Sequence, residues 1–349
     1  MKNLLRPRPN RAALMLAGVA ASLLVLSVPG ARANLADGIK VHDAPHGEAR
    51  ELGVLQLMAG QGSPEAQTML GAMYLEGKDV PEDDQEAARW FRQAAEQGYA
   101  EAEGMLGALY HDGVGVPQDF VEAARWFRKA ADQGSELAEF DLGNMYLTGH
   151  GVPPDDAEAA RWFRSAAEQG DGDAEASLGA LYETGRGVPQ DLSEAVRWYR
   201  ASAEQGNAAG EDQLGHSLYR GRGVAKDPAE AAQWIRKAAD QGLADAQTML
   251  GVLYYRGEGV PQDRAEAVRL IRDAAEQGEP SAQALLAAFY RDGDDLPRDN
   301  IRSYMWSELA ASAGYQEGLK LRDQLEAVMT PDQIAQAREL ATEWQAQSH

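Results

Sequence analysis

Cysteine is absent from all 349 residues. Its absence excludes disulfide staples, thiolate zinc sites and a cysteine nucleophile, and removes the residue on which a bacterial lipoprotein carries its lipid. Basic charge is scarce as well: 33 Lys and Arg stand against 55 Asp and Glu, a formal charge of −22. A surface of that sign repels phosphate backbones and anionic lipid, so nucleic acid is excluded as a partner. Long apolar runs are missing except at the N-terminus, where Lys2, Arg6, Arg8 and Arg11 precede an apolar stretch from Ala12 to Val28. Pro29-Gly30 ends that stretch and Ala31-Arg32-Ala33 follows with the small-x-small pattern of a cleavage site. The run is short for a membrane span and is expected to be a cleaved signal peptide over residues 1–33. Its removal takes five basic residues and no acid, so 33 basic side chains become 28 against 55 acids, a charge of −27. The mature chain is expected in a bacterial periplasm and not embedded in a membrane, with full secretion as the alternative.

What is present is repetition. Leu70-Gly71-Ala72-Met73-Tyr74, Gly77, Val80-Pro81, Asp83, Ala87, Trp90 and Ala94-Ala95-Glu96-Gln97-Gly98 return every 36 residues. The closing glycine recurs without slip as Gly98, Gly134, Gly170, Gly206, Gly242, Gly278 and Gly314. A fixed period of this length marks a solenoid, in which each unit buries its apolar face against its neighbours. The first unit shows why each half is a helix. Ser63-Pro64 is an N-cap followed by a proline whose missing donor a helix start does not need. Ala66, Leu70, Met73 and Tyr74 share one helix face, and Gly71 on that face lets a neighbouring helix approach closely. Gly77 ends the helix, and Val80 is expected to plug the connection between units. Asp83 caps the second helix, with Glu86 completing a capping-box-like pair that recurs through Asp263 and Glu266. Ala87, Trp90, Phe91, Ala94 and Ala95 form the buried face of that second helix. Arg92 and Glu96, repeated as Arg128 and Asp132, are expected to pair across its outer face.

Seven units occupy residues 64–315. Residues 34–47 read as a flexible leader and 48–63 as a capping half-repeat. Residues 316–349 form a C-terminal helical cap of two helices, about 316–328 and 332–346. The fold class is all-α, a solenoid of 36-residue helix–loop–helix repeats.

No Ser-x-x-Lys, Gly-x-Ser-x-Gly, His-Glu-x-x-His or phosphate loop occurs. Gly113-Val114-Gly115 and its copies look like part of a nucleotide loop, but no strand precedes them and they repeat in most units, so they read as turns. His42 and His46 in the leader have nothing nearby to complete a metal site. The Asp83 series is accounted for by capping. The sequence therefore points to no catalytic residue, no metal and no cofactor.

The motifs Leu-Gly-x-x-Tyr, Gly-x-Gly-Val-Pro-x-Asp, Ala-x-x-Trp and Ala-Ala-x-Gln-Gly, over about residues 48–315, resemble the Sel-1-like repeat family, a relative of the tetratricopeptide repeat. The segment Met329-Thr330-Pro331-Asp332-Gln333-Ile334 resembles the ending of many bacterial members. The resemblance implies a right-handed α-superhelix that acts as an adaptor between proteins. One cysteine-rich branch of the family is described as β-lactamase-like or penicillin-binding, and the paired cysteines that mark it are missing here.

By analogy with the tetratricopeptide groove, the positions of Thr68, Met69, Ala72, Leu75 and Glu76 would line a concave face. The residues expected there to meet a protein or peptide partner are Phe140, Asn144, His216, Tyr219, Arg220, Tyr255 and Arg256. Tyrosine and arginine are enriched at interface centres, and the arginines are positive points on an acidic molecule. The expected function is a non-catalytic interaction scaffold. The alternatives are an enzyme of the β-lactamase-like branch and a module that binds cell-wall glycan.

Overall fold

The structure, a computed structural model, describes residues 48–293 and 295–347. The expected signal peptide and leader lie outside the described residues. The chain divides into two compact units at Gln190 and Asp191, within the fourth repeat. In the first unit the helices are α1 (Glu48–Gly60), α2 (Pro64–Glu76), α3 (Asp84–Ala95), α4 (Ala100–Asp112), α5 (Phe120–Asp132), α6 (Glu136–Thr148), α7 (Asp156–Gln169) and α8 (Gly172–Thr184). The second unit holds α9 (Leu192–Glu204), α10 (Ala208–Arg220), α11 (Pro228–Asp240), α12 (Ala244–Arg256), α13 (Arg264–Glu276), α14 (Pro280–Asp292), α15 (Asn300–Ser312), α16 (Gln316–Glu326) and α17 (Pro331–Gln347). Within each unit, successive helices pack in tandem as far as α16, and α17 folds back onto α15. Among the described residues there are only helices, turns and bends. The architecture is an all-α solenoid.

The caps form where the sequence places them. Ser63 Oγ accepts from the Ala66 N–H, and Asp119 Oδ1 accepts from the N–H groups of Val121 and Glu122. The reciprocal half of the capping box does not form. The Asp119 N–H instead donates to the Tyr110 carbonyl of the preceding helix, and Glu122 turns outward to Arg125.

The helix glycines are where the helices of a hairpin meet. A Cβ on Gly143 would stand 2.8 Å from the Phe163 ring, and Phe163 is fully buried. In the seventh repeat Ala287 takes the glycine's register and Ser307 takes the phenylalanine's, and both are fully buried.

The Gly-x-Gly motif joins successive repeats. Gly149 ends α6 at φ +79. Gly151, at φ +73, lies so close to the start of α5 that a Cβ would stand 2.0 Å from the Phe120 carbonyl oxygen. The turn reading holds, and the second glycine is also an interface residue between repeats.

Two side-chain ladders run along the array, one within each repeat and one between successive repeats. Gln133 Nε2 donates to Glu103 Oε2 at 2.6 Å, Gln169 to Glu139 at 2.8 Å and, in the second unit, Gln241 to Glu211 at 2.8 Å. The glutamine of Ala-Ala-x-Gln-Gly thus ties the end of one second helix to the first helix of its own repeat. Arg92 Nη2 donates to the Tyr110 hydroxyl at 2.7 Å and Arg164 to that of Tyr182 at 2.7 Å. This corrects the expected Arg92–Glu96 pairing: the guanidinium reaches the next repeat, and the surface ion pairs run i, i+3 as Arg89–Glu86 and Arg125–Glu122. Where leucine replaces the tyrosine, at Leu218, Arg200 pairs with Glu230 at 3.0 Å instead.

Candidate functional site

The first-helix face expected to line a groove is mostly packed away. Thr68, Met69 and Ala72 are buried, as are Met105 and Ala108. Phe140 is a correction: it is 3% exposed, with its ring 5.6 Å from that of Phe163. Its register lies under the second helix of the hairpin, so a large apolar side chain there enters the core. Asn144, on the same helix, is half-buried, and its side-chain oxygen is buried without a hydrogen-bond partner. Both residues belong to the first unit.

In the second unit, His216 is partly exposed, and its Nε2 lies 3.5 Å from Asp212 Oδ1 one turn earlier in α10. Asp212 is almost wholly buried. Burial first, and the nearby Asp245 carboxylate second, push its carboxyl up to about 7; a hydrogen bond from Gln213 and the charge of Arg220 oppose the rise. The equivalent residues in other repeats include Thr68, Ala176 and Thr248, so this buried acid is an individual feature of the fifth repeat.

The remaining expected residues cluster at the edge where first helices end and second helices begin. The last two residues of the first helices are Leu75-Glu76, His111-Asp112, Leu147-Thr148 and Glu183-Thr184 in the first unit. In the second they are Tyr219-Arg220, Tyr255-Arg256 and Arg291-Asp292. Arg220 and Arg256 are exposed, whereas Tyr219 and Tyr255 are half-buried. The Tyr219 hydroxyl donates to Glu258 Oε2 at 2.5 Å and accepts from Arg256 Nη1 at 3.4 Å. That bond to Glu258, followed by burial, holds the phenol above its ordinary range. Lys226 Nζ lies 5.4 Å from the centre of the Tyr219 ring. Arg264 covers the Tyr255 ring at 5.1 Å, and the ring also packs on Phe289 at 5.5 Å. Tyr219, Tyr255 and Arg256 thus join one continuous strip, into which the structure also brings Lys226, Glu258, Arg264 and Phe289. Comparing registers would have found Lys226, since the matching positions carry Glu82 and Gln118.

Such a strip presents cations beside aromatic faces held in place by hydrogen bonds, which suits recognition of a carboxylate-bearing surface. Among the described residues, no group of three His, Asp or Glu side chains is placed to hold a metal ion, and no helix is long and apolar enough to cross a membrane.

The fold and this edge define a class: a helix-hairpin repeat protein whose repeats differ at their exposed ends. The Sel1 repeat model matches seven consecutive segments, at 64–99, 100–135, 137–171, 172–207, 208–243, 244–279 and 280–315, and the chain belongs to the Sel1 repeat family. No curated protein matches it. Among solved structures it is similar to c5321 of uropathogenic Escherichia coli, described as a protective antigen displaying an SLR fold. The identity is 38% over 85% of this chain, with a TM-score of 0.70. The chain spans 66% of that antigen's length. It is also similar to a Sel1 repeat protein from Oxalobacter formigenes, at 31% identity over 70% of this chain and 96% of that one, with a TM-score of 0.65. Sel1-repeat proteins generally mediate protein–protein interactions.

Proposed function

We propose that the chain is a non-catalytic adaptor of the bacterial cell envelope that binds a protein partner along the ends of its first helices. The observation that carries this reading is the break in register at Tyr219-Arg220 and Tyr255-Arg256. A repeat protein held together by identical contacts needs no such residues there, and the first unit is built with acids, threonines, leucines and one histidine in the same places. Half-buried tyrosines beside exposed arginines are the kind of residue that dominates binding energy at interfaces. The apolar run with its Ala31-Arg32-Ala33 ending supports export to the periplasm.

The test is in-cell crosslinking of the full chain followed by mass spectrometry. It is run beside a variant carrying Tyr219→Ala, Arg220→Ala, Tyr255→Ala and Arg256→Ala that retains parental helicity. A protein captured by the parent and lost in the variant is the expected result. No captured protein, combined with sedimentation on cell-wall sacculi, would move the assignment to a glycan ligand.

A further inference from the structure

Two first helices of the second unit end in arginine, at Arg220 and Arg256. A cation at a helix C-terminus is favoured by the macrodipole, so Arg220 and Arg256 could be simple terminal charges. The register argues otherwise, because the same position holds Glu76 and Asp112 in the first unit and Asp292 at the end of α14. Those helices form with the unfavourable sign, so the arginines answer to something beyond the helix.

They are not isolated. Arg220, Arg222, Lys226, Arg256 and Arg264 are all exposed along this edge. The acids interleaved with them are mostly committed elsewhere: Asp227 and Asp263 accept from the N–H groups that open α11 and α13, and Glu258 is engaged with the Tyr219 hydroxyl. Arg264 is also paired with Asp295 at 3.3 Å; on a chain with a formal charge of −22, such a row still concentrates positive charge locally, and association is steered by fields of this kind. Between the cations lie the faces of Tyr219 and Tyr255, the latter continued by Phe289.

We propose that this edge of the second unit docks an acidic peptide segment of the partner. Carboxylates of the segment meet Arg220 and Arg256, and an aromatic or apolar side chain lies against Tyr219 and Tyr255. The inference rests on the adaptor reading and adds to it the chemistry of the partner and the half of the chain that holds it. The first unit, with Glu76 and Asp112 in the matching places, repels the same segment.

The experiment is fluorescence polarisation of the full chain with a short fluorescein-labelled peptide of aspartate and glutamate around one phenylalanine. The control probe is a peptide with lysine at every acidic position. The acidic peptide binds and the lysine peptide does not. Arg220→Ala and Arg256→Ala each weaken binding about tenfold, and binding falls as salt rises from about 50 to 300 mM, where screening shortens the reach of charge. Arg125→Ala, which removes one exposed arginine from the outer face of α5, leaves affinity unchanged. Failure of the acidic peptide to bind overturns the proposal, as does equal loss in Arg125→Ala. Tighter binding of a heparin fragment through the same arginines would give the edge to an anionic glycan. A sedimenting dimer abolished by Arg220→Ala would give it to a second copy of the chain. The two readings fail separately: a crosslinked partner that persists without Arg220 and Arg256 overturns this edge and leaves the adaptor standing. Peptide binding with no crosslinked protein overturns the adaptor and leaves the edge.

Discussion

Replacing Gly151 by alanine tests how tightly successive repeats are joined, because a matched control lies in the same unit. Gly151 and Gly134 both have left-handed backbones, at φ +73 and +87. An alanine at either pays the same conformational penalty, roughly 1–2 kcal/mol for an L-residue in that region. They differ in what the new methyl meets. At Gly134 nothing lies within 4 Å, whereas at Gly151 the Cβ would stand 2.0 Å from the Phe120 carbonyl oxygen and 2.3 Å from its carbon. A carbon–oxygen contact relaxes to about 3.3 Å, so the loop and the start of α5 must part by more than 1 Å. Both sides of the contact are backbone, and no rotamer change relieves it. Overpacking of this kind costs about 1–3 kcal/mol. Gly151→Ala is therefore expected to lose about 2–5 kcal/mol and Gly134→Ala about 1–2 kcal/mol. Urea denaturation followed by circular dichroism measures both, with the slope checked for change because a solenoid can lose cooperativity at a weakened boundary. Equal losses in the two variants would refute the claim that the second glycine of the loop is an inter-repeat contact.

Three further outcomes follow from the same packing. Glu139 is held above the ordinary carboxylate range chiefly by burial, so its native charge is fully destabilising only above the raised value. Glu139→Gln, which copies Gln67 and Gln247 at that register, should raise the Tm by on the order of 1–3 °C at neutral pH and by less near pH 4. Asp212, raised to about 7, lowers stability as pH climbs from the unfolded value near 4 through about 7. Asp212→Asn should therefore stabilise the protein at pH 8 and lose that advantage at pH 4; a constant difference between two melting series would contradict the burial of its charge. Tyr182→Phe should cost about 1 kcal/mol by removing the hydroxyl that accepts from Arg164, and a double-mutant cycle with Arg164→Met should recover a coupling of similar size.

Much of the fold was legible because it depends on near neighbours. Ser63-Pro64, the Asp83 series and the helix-ending glycines act within one turn of themselves, and a 36-residue period copies the signal seven times. The side-chain contacts between helices are harder to read, since Gln133 and Glu103, in one repeat, are 30 residues apart and Arg92 and Tyr110, in successive repeats, are 18 apart. Their pairing needs the offset between packed helices, which the periodicity of one helix does not supply. Sequence proximity points Arg92 to Glu96, its neighbour on the same helix, whereas the structure gives it to Tyr110. The register of Phe140 varies between repeats, from Thr68 and Ala176 to Asp212, as a groove position would, yet each of these side chains is buried. Arg220 and Tyr219 stood out from sequence by breaking the pattern. Glu258, which accepts from the Tyr219 hydroxyl, emerges only once the loop is seen against the ring.

The central claim, that the second unit meets a partner through the ends of its first helices, is tested most directly by a photo-crosslinking residue placed in turn at two sites. Ala225 and Pro117 occupy the same register, both exposed, in the second and first units. Under illumination in the cell, position 225 should join a discrete protein and position 117 should not, with the 225 product lost when Arg220 and Arg256 become alanine. Crosslinking of the same protein from both positions, or from 117 alone, would contradict the account.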